Sequence, residues 1–140
     1  ALDVVNKYHV PRVILMQCVV AYPAVAEDYN LSSILQFRED VDEVGVSDHT
    51  MGQMVSEAAA VLGLTWIERH LRPYEKGESE SPDWEVSVTP LWLQGVVQRV
   101  NMVRQVVGNG QKVPCDAEKD QRLWARRGSD GLRPTDEVKE

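Results

Sequence analysis

At 140 residues, 43% apolar and 26% charged, the chain has room for one domain with a modest core. Its 22 acidic against 15 basic residues leave a net charge of −7, which argues against nucleic acid or an anionic membrane as partner. No apolar run approaches a membrane span and no charged-apolar-small leader opens the chain; Cys18 and Cys115 form no metal-type pair, so a reduced cytoplasmic setting is the simpler expectation, with a disulfide left open.

Leu2, Val5 and Tyr8 recur at helical spacing and stop before Pro11, so residues 2–8 read as the last turns of a helix. From Val13 to Val20 the chain is nearly all apolar, which suits a parallel strand buried on both faces, although a buried helix has the same composition. Tyr22-Pro23 breaks that run. Asn30 is placed to cap a helix whose inward side takes Leu31, Ile34 and Leu35, with Phe37 and Val41 beyond. Glu43 to Ser47 reads as the second strand. Thr50 or Ser47 is the expected cap of the next helix, whose stripe is Met51, Met54, Val55, Ala58, Val61 and Leu62; Gly63 stands where a left-handed terminator belongs.

Leu64 to Leu71 reads as the third strand. Arg72 to Val88, polar and acidic with Gly77 and Pro82, is long for a connection and is expected to be a binding loop or mobile. Thr89-Pro90 opens the clearest helix, a hydroxyl cap followed by proline at the first helical position. Leu93, Val96, Val97, Val100, Val103 and Val107 give it one apolar stripe, and Gly108 ends it. Residues 1–127 are expected to form the folded part and 128–140 a linker or disordered tail. Repeated strand-helix units imply α/β architecture, with parallel strands and right-handed crossovers.

Strand side chains alternate faces, so Ser47 shares a face with His49, and Glu68 with His70. If the second and third strands are adjacent and parallel, these four polar groups converge at their carboxyl ends, where α/β sheets and barrels carry their sites. From spacing alone, two histidines at strand ends are more often structural or solvent-exposed than ligating.

The residues Gln17-Cys18-Val19, Tyr22-Pro23, Glu27-Asp28-Tyr29-Asn30, Gly45-Val46-Ser47-Asp48-His49-Thr50, Ile67-Glu68-Arg69-His70, Ser81-Pro82-Asp83-Trp84 and Glu118-Lys119…Ala125-Arg126-Arg127 follow one another in a telling order. In this the chain resembles the sialic acid synthase family across roughly residues 11–127. The resemblance implies the last three strand-helix units of a (β/α)8 TIM barrel, with five earlier units and a small antifreeze-like domain lying outside this sequence. It implies condensation of phosphoenolpyruvate with N-acetylmannosamine or a related amino sugar, the barrel being completed by its other strands in a homo-oligomer or another assembly. An isolated piece of this size is expected to be inactive. A non-catalytic remnant serving as a binding or interaction module is the alternative.

The resemblance also assigns roles. His49 and His70 would bind a divalent metal, Mn²⁺ in the family, which polarises the sugar aldehyde. Glu68 is the catalytic candidate, to orient a ligand or accept a sugar hydroxyl; it could equally pair with Arg69 or Arg72. Ser47 could donate to a phosphate oxygen or simply cap a helix, and Asp83 could contact the sugar or only form a turn. Tyr22 either lines the pocket or packs, while Asp48, Arg126 and Arg127 read as solvated or structural. Three positions depart from the family pattern: Val20 replaces an asparagine that helps hold the phosphate, and Gln17 and Trp84 replace histidines.

Overall fold

The computed structural model describes residues 2–73 and 81–139. The middle of the acidic connection, residues 74–80 with Gly77, therefore lies outside the described residues. Helix α1 spans Leu2–Lys7, strand β1 Ile14–Cys18, helix α2 Ile34–Phe37, strand β2 Glu43–Ser47, helix α3 Met54–Val61, strand β3 Trp66–Glu68 and helix α4 Pro90–Val107. The strands form one sheet in the order β1-β2-β3, with both pairings parallel. Cys18 pairs with Ser47 and Ser47 with Glu68, which aligns the carboxyl ends of all three strands. Such an arrangement requires crossovers, and the helical patterns between the strands supply them.

β2 is the central strand and is buried from Val44 to Ser47, as its short apolar sequence suits. β1 is only partly buried and ends on an exposed Cys18. β3 is shorter than the predicted Leu64–Leu71 run. Beyond Glu68 the chain turns to another partner: Leu71 forms a parallel bridge with Val88, Val88 N–H donates to the His70 carbonyl at 2.9 Å, and Arg72 N–H donates to the Val88 carbonyl at 2.9 Å. The far end of the 72–88 connection thus returns beside the site, with Val86, Ser87 and Val88 buried.

The core between sheet and helices contains Tyr29, Ile34, Val44, Val46, Val55, Ala59 and Leu64. A smaller cluster of Ala60, Val96 and Val100 joins α3 to α4. The predicted stripe of α3 is therefore corrected. Met51, Met54 and Val61 are exposed, and the buried face is Val55, Ser56, Ala59 and Ala60. The helix begins at Met54, so Met51 lies outside it; of the expected stripe, Val55 and Leu62 pack against the core. Leu35 on α2 and Val97 and Val107 on α4 are likewise exposed, the inward positions being Ile34, Val96 and Val100.

The capping expectations divide. Thr89 accepts the Trp92 N–H at 3.4 Å, with Pro90 opening α4, as the sequence predicts. Gly63, at φ 72°, closes α3 in a Schellman pattern: its N–H donates to the Ala60 carbonyl and the Leu64 N–H to the Ala59 carbonyl. Neither Thr50 nor Ser47 caps α3; Gln53 holds that position with no side-chain bond, because both hydroxyls are engaged at the strand end. Asn30 holds the N-cap position of the turn Leu31–Ser33 that leads into α2, without a side-chain bond; its carbonyl accepts the Ser33 N–H at 2.9 Å. At φ 41°, ψ 53° it is a left-handed joint between two 3-10 turns, Ala26–Tyr29 and Leu31–Ser33.

Gly45 pairs with Trp66 across the β2–β3 ladder, and a Cβ there would sit 2.7 Å from both the Trp66 Cβ and its carbonyl oxygen. Backbone of a paired strand cannot move aside cheaply. Gly45→Ala is therefore expected to lower stability by about 1–3 kcal/mol, measured by urea denaturation.

Residues up to Gly108 make one compact unit and those from Asn109 a second. The second contains helices α5, Lys119–Ala125, and α6, Asp136–Lys139. The Glu118 carboxylate accepts the Cys115 N–H at 3.0 Å; within residues 128–140, read as linker or tail, lie the turn of α6 and the pair of Lys139 with Asp130 at 2.6 Å. Both cysteines are free and exposed. Among the described residues, no helix is long and apolar enough to cross a membrane.

Candidate functional site at the strand carboxyl ends

Past Ser47 the chain continues extended, and Asp48, His49 and Thr50 are buried. The Asp48 N–H donates to the Glu68 carbonyl at 3.0 Å, which carries the β2–β3 ladder one step further and preserves alternation. Alternation splits the polar residues into two sets.

The first set is structural. The Asp48 carboxylate is fully buried and accepts hydrogen bonds from Thr50 N–H at 2.9 Å, Thr50 Oγ1 at 2.7 Å and Ser56 Oγ at 2.7 Å. Its charge is met by Arg69 Nη1 at 2.6 Å, with only 3% of the arginine side chain exposed. Arg69 Nη2 also donates to the Thr50 carbonyl at 2.9 Å. Of the solvated and structural readings of Asp48, the structural one holds.

The second set is the candidate site. Ser47 Oγ donates to Glu68 Oε1 at 2.7 Å and lies 3.2 Å from His49 Nε2. His49 Nδ1 is 2.8 Å from the Val19 carbonyl, which can only accept, so Nδ1 carries a proton, and Nε2 is the ring nitrogen on the Ser47 side. The His49 and His70 rings are 5.0 Å apart between centroids. Tyr22 stacks on His49 at 4.4 Å and meets His70 edge-on at 5.9 Å. Asp83, arriving from the returning connection, places Oδ2 3.7 Å from His70 Nδ1.

All six residues singled out from the sequence, Tyr22, Ser47, His49, Glu68, His70 and Asp83, thus meet in one cluster. His49 forms its floor at 3% exposure, while His70, Asp83 and Tyr22 form an open rim. Glu68 faces Ser47 and takes neither arginine as a partner. Partial desolvation and, after it, the Asp83 charge push the Tyr22 phenol above its ordinary pKa, so it serves as a neutral ring. A pocket of about 230 Å³, lined by His70, Asp83, Trp84 and Ser87 among others, opens beside the rim. The cleft of about 200 Å³ under Arg69 and Trp92 is lined instead by Arg69 of the structural set and adjoins neither imidazole.

Among the described residues, no three His, Cys, Asp or Glu side chains converge on one ion position. What the cluster offers is two imidazoles, with His49 oriented by a carbonyl on its far nitrogen as metal-binding histidines commonly are. Two imidazole nitrogens fit a divalent ion that keeps water or substrate oxygens as its other ligands.

Two contributions escaped the sequence reading. The opposite charges of Asp48 and Arg69 flank the motif histidines at alternate positions of adjacent strands, a signal that alternation makes readable. Tyr29, whose hydroxyl touches the backbone at both ends of the Ser47–His49 segment, lies within the Glu27-Asp28-Tyr29-Asn30 motif, but nothing in its spacing gives it a role.

The NeuB family model matches residues 1–112. The chain is 34% identical over 116 residues to an uncharacterized protein of Methanocaldococcus jannaschii, covering 82% of this chain and 34% of that one. It is 31% identical over 132 residues to the N,N'-diacetyllegionaminic acid synthase of Legionella pneumophila, covering 91% and 36% respectively. Among solved structures it is similar to the N-acetylneuraminic acid synthetase of Leptospira borgpetersenii, determined in complex with citrate. The TM-score is 0.70 at 29% identity, over 86% of this chain and 41% of that one. The chain therefore spans about a third of the length of these curated relatives.

Proposed function

Because this chain belongs to the NeuB family, we propose that it forms part of a cytoplasmic synthase joining phosphoenolpyruvate to an N-acetylated amino sugar. One observation carries the reading: Ser47, His49, Glu68 and His70 converge at the carboxyl ends of adjacent parallel strands, beneath Tyr22 and Asp83. In this reading the sheet is the last part of a (β/α)8 barrel, and further strands pair with the outer edges of β1 and β3.

His49 and His70 would hold the divalent ion, Mn²⁺ by family resemblance; bound there, it supplies Lewis-acid polarisation of a carbonyl oxygen. The chain's own residues do the rest by positioning. The Val19 carbonyl orients the His49 ring through Nδ1, and Ser47 holds Glu68 Oε1, so the other carboxylate oxygen is the one to accept a sugar hydroxyl. Tyr22 gives the substrate an apolar wall, and Asp83 at the rim accepts a second hydroxyl. In the reaction the methylene carbon of phosphoenolpyruvate bonds to the sugar's aldehyde carbon, whose oxygen takes up a proton; water adds to the phosphate-bearing carbon, and that carbon's bond to the phosphate oxygen then breaks, releasing phosphate and leaving a keto acid.

A second reading, a non-catalytic remnant acting as an interaction module, is favoured by the departures at Val20 and Trp84. Val20, 86% exposed, stands where the family's phosphate-holding asparagine is expected. Phosphate release with Mn²⁺, phosphoenolpyruvate and N-acetylmannosamine or a related amino sugar separates the two. The isolated chain is expected to show no turnover, since contacts from around the whole barrel must align the reacting carbons, and misplacement by about 1 Å costs on the order of a hundredfold. Turnover is expected once a polypeptide carrying the other strand-helix units is supplied, and it should vanish in His70→Ala. A complemented, folded assembly that is inert towards every such sugar would favour the remnant.

A further inference from the structure

Tyr29 is 1% exposed and takes no part in the proposed chemistry, yet its hydroxyl makes two short contacts with the strand end. It accepts the His49 N–H at 2.6 Å and donates to the Ser47 carbonyl at 2.9 Å. In a parallel ladder, such a carbonyl and the N–H two residues later are normally joined to one residue of the neighbouring strand. On the β3 side the ladder continues with the Asp48 N–H on the Glu68 carbonyl. On the β1 side it stops at Cys18–Ser47, because β1 leaves towards Tyr22-Pro23.

A hydroxyl is the smallest group that both donates and accepts, so it can stand in for the missing peptide group. The departed β1 backbone is then free for other bonds. The Val19 carbonyl turns onto His49 Nδ1, and the Ala24 N–H onto the His49 carbonyl at 3.0 Å. Gln17 Nε2 donates to the Tyr29 carbonyl at 2.8 Å, which ties the tyrosine's own backbone to β1. Burial, the largest influence on this phenol, pushes its pKa above the ordinary value and keeps the donor proton in place.

We infer that Tyr29 is a positioning residue for His49. Its hydroxyl replaces a ladder rung, fixes the His49 backbone, and thereby holds Nδ1 on the Val19 carbonyl and Nε2 towards Ser47. Phenylalanine has the same shape without the donor or the acceptor.

Tyr29→Phe tests this by NMR on the 140-residue chain. The far-UV spectrum should be retained and the Val46 amide should stay protected. The His49 amide should exchange at least about tenfold faster, as loss of one buried hydrogen bond implies, and its ring should shift from the Nδ1–H tautomer to a mixture. Unchanged His49 exchange and tautomer would overturn the inference. So would an equal tautomer shift in the core variant Ile34→Val, which loosens packing alone. Should Tyr29→Phe fail to fold, the wild type decides: the Tyr29 hydroxyl proton should exchange slowly and show a cross-peak to the His49 amide, and free exchange with solvent would sink the idea. Only a last measurement rests on the metal reading: Tyr29→Phe should weaken Mn²⁺ binding about tenfold or more. A wild-type chain that binds no Mn²⁺ would count against that reading, while the ring and amide measurements still judge Tyr29.

Discussion

Asp48→Ala is expected to cost about 3–5 kcal/mol, the range for removing one partner of a buried ion pair. The cost arises less from the lost attraction than from what stays behind. Arg69, its side chain 3% exposed, would keep a full charge with the Thr50 carbonyl as its remaining acceptor. Thr50 N–H, Thr50 Oγ1 and Ser56 Oγ would lose their shared acceptor together. Asp48→Asn should be milder, since an amide oxygen still accepts while the charge is lost. The double change Asp48→Leu with Arg69→Met should be milder than Asp48→Ala alone, because it removes both charges. Urea denaturation of the four proteins checks the order, and an Asp48→Ala midpoint close to wild type would refute the account. Asp48 lies between Ser47 and His49 on the strand, so its anchoring also determines where those two side chains point.

How far the sequence discloses this arrangement depends on whether the cause is local. The run from Val13 to Val20 and the short Glu43–Ser47 stretch are legible because a strand inside a parallel sheet must be apolar with few interruptions. Alternation then sorted Ser47, His49, Glu68 and His70 onto one face without any knowledge of the fold. Asp83 and Tyr22 came into view only through family resemblance, since nothing in their spacing places them opposite the histidines.

The failures have long-range causes. β3 stops at Glu68 because His70 and Arg72 bond to Val88, a partner beyond a connection whose course no local pattern reveals. The α3 stripe was misplaced because Thr50 is a good cap by type, and its hydroxyl is instead taken by the buried Asp48. Asn30 stands at the expected cap position but makes no side-chain cap bond, its backbone being left-handed at φ 41°. At the end of β3 a long-range hydrogen bond overrides a local preference, and at Thr50 a bond to the buried Asp48 does, both beside the candidate site.

The remaining expected result is loss of Mn²⁺ binding in both His49→Ala and His70→Ala. Two imidazoles are the chain's contribution to the proposed ion site, so either change removes half of its protein ligands, and the other coordination positions are left to water and substrate. The two residues should nevertheless differ in side effects. His49 is buried on the Val19 carbonyl and under the Tyr22 ring, so its removal also opens a gap and should lower stability. His70 stands at the partly exposed rim beside Asp83, and its removal should spare the fold. Binding should weaken as the solution is acidified, because a protonated imidazole has no lone pair to offer and the ion must displace protons to bind. His9, exposed on the turn after α1, serves as the control, and His9→Ala should bind as the wild type does. Calorimetric titration with Mn²⁺, run on the chain together with its complementary strands, makes the comparison. Wild-type affinity in either site variant would refute the two-histidine site, and equal losses of stability in both would refute the division into floor and rim.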